Sequence, residues 1–497
     1  MISKVLVANR GEIAVRVLRT CRELGLGTVA VFSEADREAP HVRYADEAYC
    51  IGPPPAQESY LRGERIIRVA LDSGAQAIHP GYGFLAESPA FARACAEAGL
   101  TFVGPSPEAM ELLGDKTAAR RVARDLGIPV IEGSARTLDD EELLDAADRL
   151  GYPVVLKAIA GGGGMGIRVA HSRAELEAAI PIARREAKAA FGDDEVYLER
   201  LVEDARHIEV QLLGDAHGHV IHLGERECSI QRRHQKLIEE APSRAVDARM
   251  RRRMCQAAVR IGQAVGYVGA GTVEFLLDSE GNFYFLEVNP RLQVEHTVTE
   301  AVTGVDIVKE QLRIAAGREL RYAQEDVRPQ GWALECRILA EDPSQGFIPT
   351  TGCITRLIEP GGPGIRVDSG ICEGLTITPY YDSLLAKLVA WGKTRAVAIV
   401  RMRRALEEYR IIGITTNLEL YRALLDSPRF LGGQFHTRFL EEHFLSPEPG
   451  SEDHLAAALT AALLDYRRRG GDRAVEEPRV SRWKMLGRWE LMRGWGR

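Results

Sequence analysis

The sequence predicts a mixed fold of the α/β and α+β classes: an open α/β domain, a central domain with a glycine-rich flap, and an α+β domain. In the first domain, apolar runs alternate with helical patterns, and in the second a run of glycines lies between strand-like segments. A third observation locates the richest polar site, because residues 287–296 crowd acids, amides and an arginine behind an apolar run. Such side chains need partners, since an unpaired buried charge is costly.

Length, charge and cysteine usage exclude several classes of protein. The chain has 497 residues, enough for two to four domains, and a net charge of −7, which argues against a nucleic-acid binder. It has no apolar run long enough to span a membrane, and its first residues lead into a strand without the apolar core of a signal peptide. The eight cysteines are scattered without a Cys-x-x-Cys pair, so we interpret them as reduced thiols of a cytoplasmic protein and predict no zinc site.

The chain begins with a strand–helix–strand unit. Residues 4–8 are an apolar run, apolar residues then recur at helical spacing from Ile13 until Gly25 ends the helix, and residues 28–32 form the next strand. This alternation predicts a parallel sheet. The Gly-x-Gly at residues 81–83 lacks the third glycine of a dinucleotide-binding fingerprint, so we predict no cofactor there.

A glycine run separates two strand-like segments in the second domain. Residues 152–157 end at Lys157, glycines fill most of residues 161–166, and residues 167–169 continue as a strand. A P-loop or a Rossmann turn would need a helix after the glycines, whereas a flexible linker stays open as an alternative. The other interpretation is a flap whose bare backbone N–H groups close over phosphates that Lys157 also reaches. Lys116, which opens a helical stretch, is on its own typical of an exposed lysine.

Residues 225–236 are dense in polar and basic side chains and have two interpretations. The segment is either a solvated loop or a place where arginines gather around an anion. The residue types alone favour the loop.

Two apolar runs around a turn predict a β-hairpin in front of the polar site. If Asp278 pairs with Phe283 across a four-residue loop, Glu274 lies directly opposite Glu287, where like charges repel. A divalent cation between them would turn this repulsion into attraction, and Asn289 falls on the same face by the strand period of two. Such oxygen ligands suit Mg²⁺. A solvated hairpin with surface acids, or a bulge that shifts the register, remains the alternative.

The third domain follows a connector at residues 320–331. Residues 333–339 form an apolar strand that carries Arg337, and helical spacing over residues 396–409 adds a helix, which together indicate an α+β domain. In the tail beyond it, one amphipathic helical pattern appears, and three of the five tryptophans lie in the last 15 residues. We expect this tail to dock another subunit, because Trp and Arg are enriched at binding hot spots.

Five motifs stand in one order along the chain, and together they resemble the biotin carboxylases of the ATP-grasp superfamily. They are residues 9–14 (Asn-Arg-Gly-Glu-Ile-Ala), 79–87 (His-Pro-Gly-Tyr-Gly-Phe-Leu-Ala-Glu), the glycine flap, 231–236 (Gln-Arg-Arg-His-Gln-Lys) and 289–296 (Asn-Pro-Arg-Leu-Gln-Val-Glu-His). The resemblance covers about residues 1–445. It implies an N-terminal biotin carboxylase domain, an ATP-grasp domain with the flap, a C-terminal biotin carboxylase domain and a tail, at residues 1–113, 114–320, 332–445 and 446–497.

The resemblance implies a ligase that forms a carbon–nitrogen bond. ATP phosphorylates bicarbonate to carboxyphosphate, which breaks to CO₂ and phosphate; the phosphate deprotonates biotin, and the biotin enolate captures CO₂. The ligands implied are ATP, Mg²⁺ or Mn²⁺, bicarbonate and carrier-bound biotin. The partners implied are a biotin carboxyl carrier protein, carboxyltransferase subunits and a second copy in a homodimer, with no nucleic acid or membrane. The reaction would be the first half of an acetyl-CoA or propionyl-CoA carboxylase, as in fatty acid biosynthesis; a two-subunit pyruvate carboxylase is the alternative.

The resemblance also implies roles for individual residues. The ATP contacts fall on Lys116, Lys157, Gly163, Gly164, Glu199, Arg200, Leu201, Val202, His207, Gln231 and His234. The metal ligands fall on Glu274, Glu287 and Asn289, in agreement with the hairpin pairing. The bicarbonate site falls on Lys236, Arg291, Gln293 and the backbone N–H of Val294. Glu295 matches the base that deprotonates bicarbonate, and Arg337 matches the group that binds biotin and stabilises its enolate.

The sequence departs from the common pattern of this family at several positions, beginning with Ile159-Ala160 at the start of the flap, where many relatives continue with small residues. Met165 stands in the flap where some relatives have arginine, and Arg200 stands where some have lysine. Pro290 is the variant typical of the larger acyl-CoA and pyruvate carboxylases.

Two other functions remain as alternatives, namely an ATP-grasp ligase with a different acceptor and a non-catalytic assembly protein. Glu295 and Arg337 argue against the first, and the complete set of site residues argues against the second. Biotin-acceptor domains carry the modified lysine within Ala-Met-Lys-Met, a motif that this sequence lacks; the nearest approach, at Lys484, has too few residues after it to complete such a domain. We therefore expect another polypeptide to carry the biotin.

Overall fold

The chain opens with a five-stranded parallel sheet in a computed structural model that describes residues 2–134, 139–158 and 167–444. The strands are β1 (Lys4–Val7), β2 (Gly27–Ser33), β3 (Glu47–Gly52), β4 (Ala77–His79) and β5 (Thr101–Phe102), in the spatial order β3-β2-β1-β4-β5. The helices are α1 (Gly11–Glu23), α2 (Pro40–Tyr44), α3 (Gly63–Ser73), α4 (Pro89–Glu97) and α5 (Pro107–Gly114). Ile13, Val17 and Leu18 of α1 are buried, as their helical spacing predicted. The prediction of an open α/β domain is confirmed.

Two predicted features lie outside the described residues. They are the flap glycines, which include Gly163 and Gly164, and the tail at residues 446–497. The strands that flank the flap are described, and they pair antiparallel, with Leu156 opposite Arg168.

A small antiparallel sheet follows in the central domain, with its strands in the order β7-β6-β8. The elements are α6 (Lys116–Asp125), α7 (Asp140–Leu150), β6 (Val154–Ala158), β7 (Arg168–Ala170), α8 (Arg173–Phe191) and β8 (Val196–Arg200). Asp115 caps α6, since its carboxylate accepts from the backbone N–H groups of Thr117 and Ala118. The cap fixes where α6 begins, and Lys116 is therefore its first residue.

An eight-stranded antiparallel sheet runs through the central and C-terminal domains. Its central elements are β9 (Arg206–Gly214), β10 (Val220–Arg232), β11 (Gln235–Ala241), α9 (Ala248–Ala264), β12 (Gly269–Leu277), β13 (Phe283–Asn289), α10 (His296–Thr303) and α11 (Ile307–Ala315). The C-terminal elements are β14 (Trp332–Leu339), β15 (Glu341–Asp342), β16 (Ile348–Pro349), β17 (Gly352–Cys353), β18 (Arg356–Ile358), β19 (Ile365–Ser369), β20 (Thr376–Ile377), β21 (Leu384–Gly392), α12 (Arg395–Glu408), β22 (Arg410–Ile412), α13 (Leu418–Asp426), α14 (Pro428–Gly432) and α15 (Phe439–His443). The strand order is β13-β12-β9-β10-β11-β14-β21-β19, so β11 pairs directly with β14.

The apolar core of the central domain lies between this sheet and helices α6 and α9. Met254 and Ile261 of α9 pack with Ile208 of β9, Phe275 of β12 and Phe285 of β13, and all five are buried. Burial of such side chains stabilises the domain by about 1.5–3 kcal/mol each. Among the described residues, no helix is both long and apolar enough to cross a membrane.

The hairpin between β12 and β13 has the predicted pairing of acids but a different turn. Leu277 rather than Asp278 lies opposite Phe283, so the loop contains five residues instead of four. A β-bulge after the Phe275–Phe285 pair then places one extra residue in β13 and brings Glu274 opposite Glu287. The predicted turn is therefore wrong by one residue, and the bulge restores the predicted register at the acids.

The interpretation of residues 225–236 as a solvated loop is wrong. Most of the segment belongs to β10, where Glu225, Arg226 and Glu227 are almost completely buried. Only Arg233 and His234 form the turn into β11, both with positive φ, in the left-handed region that is uncommon for residues other than glycine. The polar residues are buried because they pair with one another across the sheet, which residue types alone do not reveal.

Candidate active site

The eight-stranded sheet carries a row of charged residues across four neighbouring strands. Glu287 of β13 lies opposite Glu274 of β12, Glu274 lies opposite Glu209 of β9, and Glu209 lies opposite Arg226 of β10. Residues directly opposite one another share a face of the sheet. The row therefore places three acids side by side, and these acids need cations from elsewhere.

Lys236 of β11 supplies the central cation. Its Nζ donates to Glu209 Oε2 at 2.6 Å, to Glu274 Oε1 at 2.9 Å and to Glu295 Oε1 at 2.5 Å. Burial lowers the pKa of Lys236, but these three carboxylates outweigh it and hold the pKa well above its usual value. One ammonium group thus joins β9, β12 and the loop that leads into α10.

Glu295 is held by two cations at the start of α10. Besides Lys236, the Nη2 atom of Arg337 donates to Glu295 Oε2 at 2.9 Å, while Arg337 Nε donates to Glu239 Oε1 at 2.5 Å. Burial raises the pKa of Glu295, yet the two cations win and hold the pKa well below its usual range. The carboxylate is therefore ionised. It becomes available to a bound ligand only when Lys236 or Arg337 turns from the carboxylate to that ligand.

Among the described residues, Arg226 is the largest side chain that is completely buried, and no sequence motif predicted a role for it. It donates to Glu209 and, at 2.8 Å, to Gln293; its other acceptors are Gln211, Thr272 and Thr299. Arg226 thus fixes the amide of Gln293, whose Nε2 donates to Glu274 at 2.7 Å. Glu209 and Glu239 were also missed. The regular alternation of polar and apolar residues along β9 could have revealed Glu209, whereas β11 has no such alternation to mark Glu239.

The three residues predicted as metal ligands lie together. Asn289 Nδ2 donates to Glu274 Oε1 at 2.9 Å, and Glu274 lies opposite Glu287. Arg291 Nη2 donates to Asn289 Oδ1 at 3.0 Å, which brings the predicted bicarbonate arginine to the same place. Two carboxylates and an amide oxygen are hard ligands of the kind Mg²⁺ prefers, so the donor set fits that ion.

The expected repulsion between Glu274 and Glu287 is offset by separate cations. Glu274 accepts from Lys236, and His207 Nε2 lies 2.9 Å from its other oxygen. Glu287 Oε2 lies 3.6 Å from Lys116 Nζ. The two acids therefore contact different basic side chains instead of sharing one.

The residues predicted to bind ATP divide into two groups. Lys157 and Arg120 both form ion pairs with the buried Glu199, and Lys116 contacts Glu287. His207 contacts Glu274, so this group lies beside the acids of the sheet. In the second group, Arg200 to Val202 continue from the end of β8, His234 forms the turn after β10, and Gln231 is buried opposite Lys236. Within the described part of the chain, the side chains of the second group make no hydrogen bond or ion pair with the acids.

Three family models match the chain in the order of its domains. The biotin carboxylase N-terminal domain matches residues 1–110, the carbamoyl-phosphate synthase L chain ATP-binding domain matches residues 115–323, and the biotin carboxylase C-terminal domain matches residues 335–442. The chain belongs to the biotin carboxylase family. The family models also agree with the central ATP-grasp architecture expected from the sequence.

Several relatives match this chain over most of its length. Biotin carboxylase 1 of Bacillus subtilis is 54% identical over 445 residues, which are 89% of this chain and 99% of the relative. A pyruvate carboxylase subunit of Methanothermobacter thermautotrophicus is 52% identical over 444 residues, 89% of this chain and 90% of the relative. The crystal structure of the biotin carboxylase domain dimer of Hydrogenobacter thermophilus 2-oxoglutarate carboxylase, in complex with MgADP, ADP and bicarbonate, is 52% identical. It has a TM-score of 0.87 and covers 89% of this chain and 98% of its own.

Glu274→Gln is expected to lower the free energy of unfolding in metal-free buffer by about 1–3 kcal/mol, because Lys236 and His207 lose a buried ionised partner. Burial raises the pKa of Glu274, but Lys236 and His207 outweigh it and hold the folded-state pKa well below the usual 4.5. The stabilisation is therefore complete above about pH 4.5 and is lost as the pH falls through the folded-state pKa. Urea titrations of the wild type and the variant should differ most at about pH 7 and less at about pH 3.5.

Glu287→Gln is the matched control for this experiment. Its side chain is 33% exposed and has one cation at 3.6 Å, so the free energy of unfolding should change by about 0.5 kcal/mol or less. Equal losses in both variants, or no loss in Glu274→Gln, would show that the contacts of Glu274 do not stabilise the fold.

Proposed function

We propose that this chain catalyses the ATP-dependent carboxylation of biotin with bicarbonate. The observation that carries the proposal is the position of Glu295, whose carboxylate lies between Lys236 and Arg337 on the sheet that also holds the acid pair Glu274 and Glu287. A base, an anion site and a metal-type donor set therefore lie within one continuous set of contacts. Biotin carboxylase 1 of Bacillus subtilis and the biotin carboxylase domain of Hydrogenobacter thermophilus 2-oxoglutarate carboxylase support the same reaction.

The nucleotide would lie between the small sheet and the row of acids. Lys116 and Lys157 are the cations for its phosphates, together with the flap backbone at Gly163 and Gly164. Glu199, Arg200, Leu201 and Val202 would contact the adenine end of the nucleotide. Further nucleotide contacts would come from His207, Gln231 and His234. Glu274, Glu287 and Asn289 would hold Mg²⁺ or Mn²⁺, which when bound neutralises phosphate charge. The solved relative with MgADP bound supports this assignment.

Bicarbonate would bind between Arg291 and Lys236, with Gln293 and the backbone N–H of Val294 beside it. Arg291 presents a planar fork to a planar oxyanion, and its Nε lies 3.1 Å from Glu87, which helps to orient it. Glu295 accepts the proton of bicarbonate, and a bicarbonate oxygen then attacks the γ-phosphorus while the bond from phosphorus to ADP breaks. Lys236 can turn from Glu295 to the new anion, because both are acceptors for its three donor hydrogens.

Biotin would receive CO₂ beside Arg337. The carbon–oxygen bond of carboxyphosphate breaks to give CO₂ and phosphate, and the phosphate takes the proton from the ureido nitrogen of biotin. Negative charge then develops on the ureido oxygen, and the guanidinium group of Arg337 stabilises it. The ureido nitrogen finally forms its bond to CO₂, which gives carboxybiotin.

For the carrier of biotin and the final acceptor, our proposal is supported by the family resemblance and by the named relatives. We assign the chain to the first half-reaction of an acetyl-CoA or propionyl-CoA carboxylase, with a separate carrier protein and carboxyltransferase subunits. The match to the pyruvate carboxylase subunit of Methanothermobacter thermautotrophicus supports a two-subunit pyruvate carboxylase about equally. The dimer named for the solved relative supports a homodimer. The proposed segments remain residues 1–113, 114–320, 332–445 and 446–497.

The function is tested by ATP hydrolysis with and without bicarbonate and free biotin. The chain should hydrolyse ATP slowly alone and faster with both additions, and Glu295→Gln should lower the stimulated turnover by about 10²–10⁴. Glu225→Gln is the matched control, because Glu225 is a buried acid paired with Arg251 that contacts none of the proposed ligand sites. Near-normal turnover in Glu295→Gln, or full turnover with an amino acid in place of biotin, would contradict the proposal.

Arg337→Ala should separate the two chemical steps. Carboxybiotin formation should fall by about 10²–10³, the usual effect of removing one oxyanion donor. Bicarbonate-dependent ATP cleavage should fall less, because Glu295 keeps its contact with Lys236. The two rates are measured as labelled carboxybiotin and as released phosphate.

Arg366→Ala is the control for Arg337→Ala, since Arg366 lies in the same sheet but pairs with Glu300 and Asp368 instead of Glu295. Equal loss of both rates in Arg337→Ala would instead indicate a general structural role for Arg337.

A further inference from the structure

Lys387 lies in β21 and is completely buried, at 0% exposure. It has no role in the proposed reaction. Lysines are almost never fully buried unless they are paired, so the contacts of this side chain need an explanation.

The ammonium group of Lys387 joins all three domains. Its Nζ donates to the carbonyl oxygen of Val294 at 2.7 Å, in the loop that leads to Glu295. The same Nζ lies 3.2 Å from Glu12 Oε1, and the hydroxyl of Tyr82 donates to that oxygen. Glu12 and Tyr82 come from the motifs at residues 9–14 and 79–87, so this contact gives two N-terminal motifs a connection to the candidate base.

The register of the sheet explains why Lys387 points towards Val294. Lys387 lies directly opposite Arg337 on β14 and directly opposite Asp368 on β19. Two cations that face each other across a ladder repel, so they favour separate partners. Arg337 turns to the carboxylate of Glu295, and Lys387 turns to the carbonyl one residue before it. Neighbouring strands thus hold the side chain of Glu295 and the carbonyl group of the residue before it.

We propose that Lys387 is a positioning residue for Glu295, and that Glu12 holds the ammonium group of Lys387 in place. The carbonyl of Val294 belongs to the planar peptide that joins Val294 to Glu295, so a fixed oxygen fixes the N–H and the Cα of Glu295 as well. The inference rests on the proposed role of Glu295 as the base. A displacement of about 1 Å at a reacting group can lower a rate by about 10²-fold, which makes such an anchor consequential.

Lys387→Met tests the anchor, because methionine keeps the apolar stem and removes the ammonium group. The kcat/KM for bicarbonate in ATP cleavage should fall by about 10–100-fold, from the lost charged hydrogen bond and the displaced base. The KM for ATP should change by less than about threefold, since Lys387 contacts none of the residues assigned to the nucleotide. A merely structural lysine would not produce this difference between the two substrates.

Arg10→Met is the matched control. Arg10 also connects the N-terminal and C-terminal domains, because it stacks 4.3 Å from the ring centre of Tyr381 while an ion pair with Asp36 of its own domain, at 2.7 Å, holds it in place. Neither contact reaches the loop before Glu295. Arg10→Met should therefore not lower the kcat/KM for bicarbonate by a larger factor than it changes the KM for ATP. The inference is overturned if Arg10→Met reproduces the bicarbonate effect, or if Lys387→Met impairs use of ATP and bicarbonate equally.

Glu12→Gln provides a second route if Lys387→Met does not fold. It keeps the shape of the side chain and replaces the carboxyl group that contacts Lys387, so kcat/KM for bicarbonate should again fall, by less than in Lys387→Met. Unchanged bicarbonate kinetics in Glu12→Gln would overturn the inference. A wild-type chain without bicarbonate-dependent ATP cleavage would instead contradict the proposed function, so the two failures are distinguishable.

Discussion

One ammonium group, the Nζ of Lys236, holds three buried carboxylates within 2.9 Å, and the candidate site depends on it. The carboxylates of Glu209, Glu274 and Glu295 come from two strands and a loop, and burial without a cation would favour the protonated forms of Glu274 and Glu295. Protonated acids could serve neither as metal ligands nor as a base. By keeping Glu274 and Glu295 ionised, Lys236 makes two different kinds of chemistry available in one place.

The sheet that carries these groups explains why they stay in position. Glu274 belongs to a central strand and Arg337 to a C-terminal strand, yet both strands are part of one continuous antiparallel sheet. Groups on regular strands are held more precisely than groups on loops. Glu295 itself lies on a loop, and its contacts with Lys236 and Arg337, together with the bond from Lys387 to the preceding carbonyl, compensate for that. Because buried ion pairs add little net stability, function is the better explanation for this concentration of charge.

The sequence predicted the parts of the site that depend on local pattern. Glu274 and Glu287 lie opposite each other, as the predicted hairpin required. The turn is one residue longer than predicted, and the bulge shifts the strand register back by one residue. Residue types reveal neither of these two features. The three-domain order and the candidate base followed from motifs. The role of Arg226 did not, because a polar segment is buried only if another strand supplies its partners. The contact between Lys387 and Val294 depends on which strands are neighbours, and strand order is not a local property.

In the proposed reaction, the site around Glu295 activates bicarbonate, and not water, to attack ATP. Bicarbonate labelled with ¹⁸O tests it directly, because a bicarbonate oxygen that bonds to phosphorus stays there when the carbon–oxygen bond of carboxyphosphate breaks. Mass spectrometry of the phosphate released by the wild-type chain, with free biotin present, should show transfer of one ¹⁸O atom per turnover. Phosphate that carries only oxygen from solvent and ATP would show that water is the nucleophile, and would contradict the account.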